Sequence, residues 1–413
     1  MFSKRILALA ALLFAVTVAS QTTTPQGLPR AQDEGADLQR AVALIDSERG
    51  PALREAGRLL QALVAERPDF DPAYVELARV AMKLNWGPEG LKQAEDLIDT
   101  ALKIRPDSVN ARILQAYVYV HQRRFAQADA IMEDIARNPP ANLWLWANWG
   151  QSLDMQGRYK EAMAKYLQTL AYPPSAESHD RARHAVYPRL IEMQEQLGSI
   201  DGMEALHKQR LQEYGSDGCY AVEYGKFLVQ QRADTAAAIA MQRSVKGRCA
   251  GAPAAEVLAL AHYLDWANGS EPQRADSLRQ ARELMPSGPA LFYALAQSER
   301  TAAVLPKLLE GGDSIAVQDE EEVDALGYAL RRRDNAAAAR LLVVGAKTDA
   351  PQGPERIPAA FLPVLAQDRE GINLMKSFAA RYPWLRFRGQ TAIEYARSTG
   401  NKELIEALSP GAR

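Results

Sequence analysis

The chain has 413 residues, room for two or three ordinary domains or one long repeat array. Hydrophobic residues make up 47% and charged residues 24%, which excludes a disordered chain. A formal net charge of −2 with no long basic stretch removes any electrostatic case for nucleic acid as a partner.

Lys4 and Arg5 precede an almost unbroken apolar run over residues 6–18, followed by small Ala19 and Ser20 and then polar Gln21 to Pro25. This order predicts a secretory signal peptide over residues 1–20, cut near Ala19 or Ser20. An uncleaved membrane anchor is the alternative, although the run is short for a bilayer. No cysteine stands near the cut, which argues against a lipid anchor. Residues 21–36 are rich in Thr, Gln, Pro and Gly and read as a flexible leader. No later segment is apolar enough to cross a membrane. The expectation is therefore export to a Gram-negative periplasm or beyond, with no membrane span after cleavage.

Helical periodicity starts at Asp37 and runs to the C-terminus, and strand alternation is nearly absent. Prolines fall between the helical stretches, as at Pro68, Pro106, Pro140 and Pro174, where a missing N–H and a ring clash stop a helix. Ala94, Ala128 and Ala162 are 34 residues apart. Ala56 precedes Ala94 by 38, and an insertion near residues 87–90 accounts for the excess. The run from Trp144 through Trp149, Gly150, Leu153, Gly157, Tyr159, Ala162 and Tyr166 to Pro174 resembles one tetratricopeptide repeat. Repeats of this kind are expected at 38–68, 72–106, 110–140 and 144–174, with weaker units at 183–214, 220–245 and 254–286. The resemblance implies an all-α fold, a right-handed superhelical solenoid of helix hairpins over residues 37–286. Its extended surface suits a binding partner better than a catalytic pocket.

Cys219 and Cys249 flank the hairpin at 220–245. In an antiparallel hairpin both stand at the same end, within disulfide range, and an oxidising compartment would let the bond form. Two free buried thiols are the alternative.

From about Gly288 the period stays but the signature changes. Leu291 to Ala294 is followed by Leu308-Leu309-Glu310-Gly311, and Leu326 to Ala329 by Leu341 to Ala346. Thr391-Ala392-Ile393-Glu394-Tyr395-Ala396 is followed by Gly400-Asn401 and Leu404 to Leu408. These resemble ankyrin repeats, which implies an ankyrin-repeat-like module over residues 287–413, with a degenerate unit near 359–382. The usual Pro and His of the first helix are missing. The acidic run Asp319 to Glu322 and the basic run Arg331 to Arg333 flank one such helix, an order that suits its dipole. A charged partner patch is the other reading.

Chemistry is nearly silent. His121, His179, His184, His207 and His262 form no H-E-x-x-H or other close ligand set, and phosphate-loop and nucleophile-elbow motifs are absent. We expect no catalytic residue, no metal and no cofactor, and no enzyme activity.

The resemblance places the first helices of successive hairpins on a concave face. Its exposed positions are expected at Arg79, Lys83, Asn110, Tyr117, His121, Trp144, Gln151 and Asp154. Trp146 and Trp149 match core positions, whereas Trp144 falls on another face. Such a strip would clamp a protein or peptide, with aromatics and Arg carrying the interface energy. The leading expectation is a non-catalytic scaffold or adaptor of the bacterial envelope. The alternative is a glycan-binding or enzyme-accessory protein of peptidoglycan or polysaccharide metabolism, with Trp144 and Tyr117 stacking on sugars. A third reading is protection against a toxin or oxidative damage.

Overall fold

Four alanines one repeat apart set the architecture. Ala56, Ala94, Ala128 and Ala162 are all fully buried, each in the second helix of a hairpin. Only a methyl group stands between two helices there, so they approach closely, and the larger neighbours fill the space on either side. The computed structural model describes residues 30–47, 49–140, 142–173, 179–215, 217–378 and 385–409. The expected signal peptide, the leader up to residue 29, Pro174 and part of the degenerate unit near 359–382 lie outside the described residues, while the leader's last residues, from Arg30, are helical rather than flexible and open the first helix.

The chain divides into two compact units, residues 1–206 and 207–413. The first contains α1 (Arg30–Asp46), α2 (Gly50–Glu66), α3 (Asp71–Leu84), α4 (Pro88–Ile104), α5 (Val109–His121), α6 (Phe125–Ala136), α7 (Trp144–Met155), α8 (Tyr159–Ala171) and α9 (His179–Gln196). The unit boundary falls within α10 (Ile200–Tyr214). Proline opens α2, α3 and α4 in the first turn, where its missing N–H costs nothing and its fixed φ suits the helix. The four-residue excess lies in one added residue of α3 and three at the start of α4, because the turn between them, which carries half-exposed Trp86, is as short as the turns before α6 and α8. The core of the first hairpins runs from Leu38, Ala41 and Ile45 through Leu53, Leu60 and Leu63 to Leu77 and Val80.

Two glycines show how the hairpins close. Gly150 on α7 faces Tyr166 on α8, and a Cβ there would lie 2.5 Å from the Tyr166 ring. Gly157, in the turn from α7 to α8, has φ +77°, a left-handed conformation that costs a side-chain-bearing residue about 1–2 kcal/mol. The equivalent turn one repeat earlier places Arg123 at φ 61°.

In the second unit α11 (Gly218–Phe227) runs into a π-turn at Leu228–Arg232 and is followed by α12 (Thr235–Gln242), α13 (Ala252–Asn268) and α14 (Gln273–Leu284). Cys219 and Cys249 are joined as a disulfide, their Cα atoms 5.0 Å apart. Arg248 lies beside it, with Nε donating to Cys219 Sγ at 3.1 Å and Nη2 pairing with Asp217 at 3.2 Å.

The change of signature near Gly288 falls inside this second unit, where the helices shorten. They are α15 (Pro289–Ala296), α16 (Glu299–Ala302), α17 (Leu305–Glu310), α18 (Ala325–Arg331) and α19 (Asn335–Val343). Next come β1 (Pro351–Gln352), β2 (Ile357–Pro358), α20 (Leu362–Leu365) and α21 (Arg369–Phe378). The described chain closes with β3 (Arg386–Phe387), β4 (Gln390–Thr391), α22 (Ala392–Thr399) and α23 (Lys402–Leu408). The strands form two antiparallel pairs of two residues each, a feature absent from the helical reading of the sequence. Side-chain caps hold these short helices. Asp324 accepts from the Gly327 N–H at 2.8 Å, and Thr391 and Glu394 form a reciprocal capping box. Asp324 caps the start of α18 and Arg331 ends it, as the helix dipole favours, while the acidic run 319–322 stops short of the first turn. Across the described residues the protein is an all-α helical-repeat fold.

Gly150→Ala will lower stability by about 1–3 kcal/mol, because α7 and α8 must separate to admit one methyl. Arg123→Gly will leave stability unchanged or raise it by up to about 1 kcal/mol. Urea midpoints of the two variants check both. Breaking the disulfide by Cys249→Ser should cost roughly 3 kcal/mol, since the bond closes a loop with a separation of 30 residues in the unfolded chain. Unfolding with and without reductant gives that difference for the parent.

Candidate functional site

Within the first unit, α1 touches α3, α3 touches α5, α5 touches α7 and α7 touches α9. The even-numbered helices α2, α4, α6 and α8 share no comparable contact with one another. In a curved stack the helices that crowd together lie on the inside of the curve. The odd helices therefore line the concave side, and the expected strip sits on them.

Arg79, Tyr117 and Gln151 occupy equivalent places on α3, α5 and α7, and Lys83 and His121 form a second equivalent pair. The exposure expected of four strip residues is not found. Arg79, Tyr117 and Trp144 are each 1% exposed and Gln151 is 7% exposed. The reason is neighbours on several sides: α7 packs against α5, α6, α8 and α9, and every residue from Trp144 to Leu153 is buried. Without an exposed ring face, Trp144 and Tyr117 lose the sugar-stacking role expected of them. Lys83, Asn110, His121 and Asp154 are partly exposed. Trp146 and Trp149 are core, stacked on each other at 6.1 Å with the Lys165 ammonium 3.6 Å from the Trp149 ring centre.

The polar residues have definite partners. Arg79 donates from Nη1 to Glu76 at 2.5 Å and from Nη2 to Asp46 at 2.9 Å. Burial holds the Glu76 carboxyl above its usual range in spite of the Arg79 guanidinium beside it. Asn110 accepts a hydrogen bond from Asn142 at 3.0 Å, and Asn142 in turn accepts from the Trp144 backbone N–H at 3.0 Å. Asp154 is gripped at both oxygens by Arg189 of α9, at 2.5 and 2.6 Å.

At the C-terminal ends of α3 and α5 three rings gather. His121 lies 4.5 Å from Tyr117 and 4.7 Å from Trp86, centre to centre. Burial pushes the His121 imidazole down from 6.5 to about 4, so the ring is neutral at pH 7. Its Nε2 has no hydrogen-bond partner among the described residues.

The most informative side chain was not among those expected. Asn148, on α7 one turn from both Trp144 and Gln151, is 1% exposed, and neither its Oδ1 nor its Nδ2 has a partner among the described residues. Gln151 Oε1 is likewise unpaired. Buried amides are normally hydrogen-bonded, because leaving one unpaired costs about 1–3 kcal/mol. A signal for Asn148 was present in the sequence. It is the one amide inside the aromatic run 144–149, where every other residue is apolar.

In the second unit a polar cleft beside α13 and α14 is lined by His262, Asp265, Asn268, Gln273, Asp276 and Gln280. Its carboxylates are already engaged: Thr235 donates to Asp265 at 2.6 Å, and Arg279 and Gln280 donate to Asp276. Among the described residues no three His, Cys, Asp or Glu side chains gather as a metal set, and no helix is long and apolar enough to cross a membrane.

No protein-family model matches the chain, and no curated protein matches it. Solved structures resemble parts of it. A tetratricopeptide protein of Thermus thermophilus, TTC0263, is 22% identical, with 48% of this chain and 99% of that one covered at a TM-score of 0.38. The type IV pilus biogenesis factor PilW is 18% identical, with 51% and 91% covered at 0.38. YrrB, described as a tetratricopeptide protein with an unusual peptide-binding site, is 14% identical, with 55% and 92% covered at 0.26.

Stability should respond to His121. The fold favours its neutral ring, so the associated stability is fully present above pH 6.5 and is lost as the pH falls toward 4. The loss will be at most about 3 kcal/mol. His121→Phe keeps the aromatic packing and should flatten that part of the stability–pH curve, which urea unfolding at pH 4.5, 5.5 and 7 will reveal.

Proposed function

We propose that this chain is a non-catalytic binding scaffold that takes an extended peptide segment of a protein partner along the odd-helix face of its first unit. One observation carries the reading: the buried Asn148 amide with both ends unpaired, next to the unpaired Gln151 Oε1 on the same face of α7. A primary amide offers one acceptor and two donors in a plane, which matches the C=O and N–H of a peptide unit. A helical-repeat face that leaves such groups unpaired is incomplete by itself, and a backbone laid across it would satisfy them.

The same reading takes residues 37–286 as tetratricopeptide-like and residues 287–413 as an ankyrin-like module. The alternation of short helix pairs with the small β1–β2 and β3–β4 pairs supports the latter. Residues 1–20 are read as an export signal and 21–36 as a leader, which puts the mature protein in the bacterial envelope. The Cys219–Cys249 disulfide supports an oxidising compartment. The glycan alternative has no observation in its favour once Trp144 and Tyr117 are buried.

The test separates binding from folding. Asn148→Ala deletes an unpaired buried amide, so it should leave the free protein as stable as the parent or more so, by about 1 kcal/mol. Peptides selected from a random display library on the parent should then bind the variant at least tenfold more weakly. Peptides that bind parent and variant equally would remove the strip from consideration.

A further inference from the structure

The hairpins of a helical-repeat array touch their neighbours, and contacts between distant hairpins need a separate cause. The ion pairs of the first unit follow that rule. Arg79 pairs with Asp46, Arg124 with Glu95, Arg158 with Asp129 and Arg189 with Asp154, each joining one hairpin to the next, while Arg105 pairs with Asp71 inside its own hairpin. One pair breaks it. Arg181, in the first turn of α9 in the fifth hairpin, lies 2.6 Å from Asp46, the last residue of α1 in the first. Helices α1 and α9 lack the extensive contact that each odd helix makes with the next, so this pair is not a by-product of a packed helix face.

We infer that the Asp46–Arg181 pair is an ionic latch that closes the concave side of the first unit and sets how readily the Asn148 strip is reached. Three observations fit a latch better than a fixed pin. Arg181 is 44% exposed, so water and salt compete for its charge, whereas Asp46 is only 11% exposed. Asp46 is also held from inside by Arg79, which is itself tied to Glu76, so releasing Arg181 leaves no buried carboxylate without a partner. Finally, small rotations between successive hairpins add up along a stack. The distance between its first and fifth members is therefore the one that varies most, and the latch spans that distance.

Asp46 thus joins two roles through one carboxylate. One oxygen receives both the guanidinium of the strip residue Arg79 and that of Arg181 from across the curve. Opening removes the outer contact and keeps the inner one, so the strip retains its shape while its access changes. This inference concerns access and holds whichever partner the strip takes.

A buried thiol reports it without any partner. The two native cysteines are bonded to each other and no free one remains among the described residues, so Asn148→Cys installs a single reactive thiol on the strip. Its reaction with N-ethylmaleimide, a neutral reagent, is followed in the full chain. Adding Arg181→Gln should speed the reaction at least tenfold, and Arg181→Lys should speed it far less. Raising sodium chloride from about 0.15 M to 1 M shortens the screening length from about 8 to about 3 Å and should accelerate the parent while leaving the Arg181→Gln form unchanged. The control thiol is Ala128→Cys on α6, fully buried in the hairpin core. Its rate should not respond to Arg181→Gln. Equal rates at position 148 with and without Arg181→Gln would overturn the latch. So would equal acceleration of both thiols, which means general loosening. If Asn148→Cys does not fold, Gln151→Cys on the same face serves as reporter.

Discussion

Everything in the first unit depends on how closely two helices can approach at an alanine. With Ala56, Ala94, Ala128 and Ala162 fully buried, each hairpin becomes a thin slab, and slabs of equal thickness stack. Gly150 takes the same logic further by letting the Tyr166 ring come closer to α7 than a Cβ would allow. Stacking then decides the rest. The odd helices crowd on the inside of the curve, and a helix such as α7, flanked by α5, α6, α8 and α9, has every residue from Trp144 to Leu153 buried.

That crowding makes the polar residues of the inner face costly. Most are neutralised locally: Arg79 by Glu76 and Asp46, Asp154 by Arg189, and Asn110 by Asn142. Asn148 and one end of Gln151 are not. A stack that spends burial on an unpaired amide is less stable than one with Leu there, and position 114, one repeat earlier, does carry Leu. Departures from local consistency of this kind are where function is to be sought. The Asp46 carboxylate gives the same face a second property, since it couples the lining to the far rim of the curve.

The second unit solves the same packing problem with different means. Its hairpin from α11 to α12 is stapled by Cys219–Cys249, and its later helices are too short to be stable alone, so caps at Asp324, Asp334, Thr391 and Asn401 hold their ends. The small β1–β2 and β3–β4 pairs occupy the turns between these short helices.

The sequence by itself determined the helical class, the hairpin rhythm and the placement of the two cysteines at one end of a hairpin. Each of these rests on local periodicity, a fixed alanine spacing or antiparallel geometry, and such features are written within one or two repeats. It also placed Trp146 and Trp149 in the core, because their positions are fixed by contacts inside their own hairpin. The two β-pairs escaped it because two residues are too few to alternate. Tertiary structure alone decided which strip residues are reachable. Arg79, Tyr117, Trp144 and Gln151 were read as exposed from one hairpin's pattern, yet burial on an inner face is set by the helices of the hairpins before and after. The same holds for Asp46 and Arg181. They belong to hairpins that are not neighbours in the stack and share no extensive contact, and only the accumulated curvature of the stack brings their charges within reach.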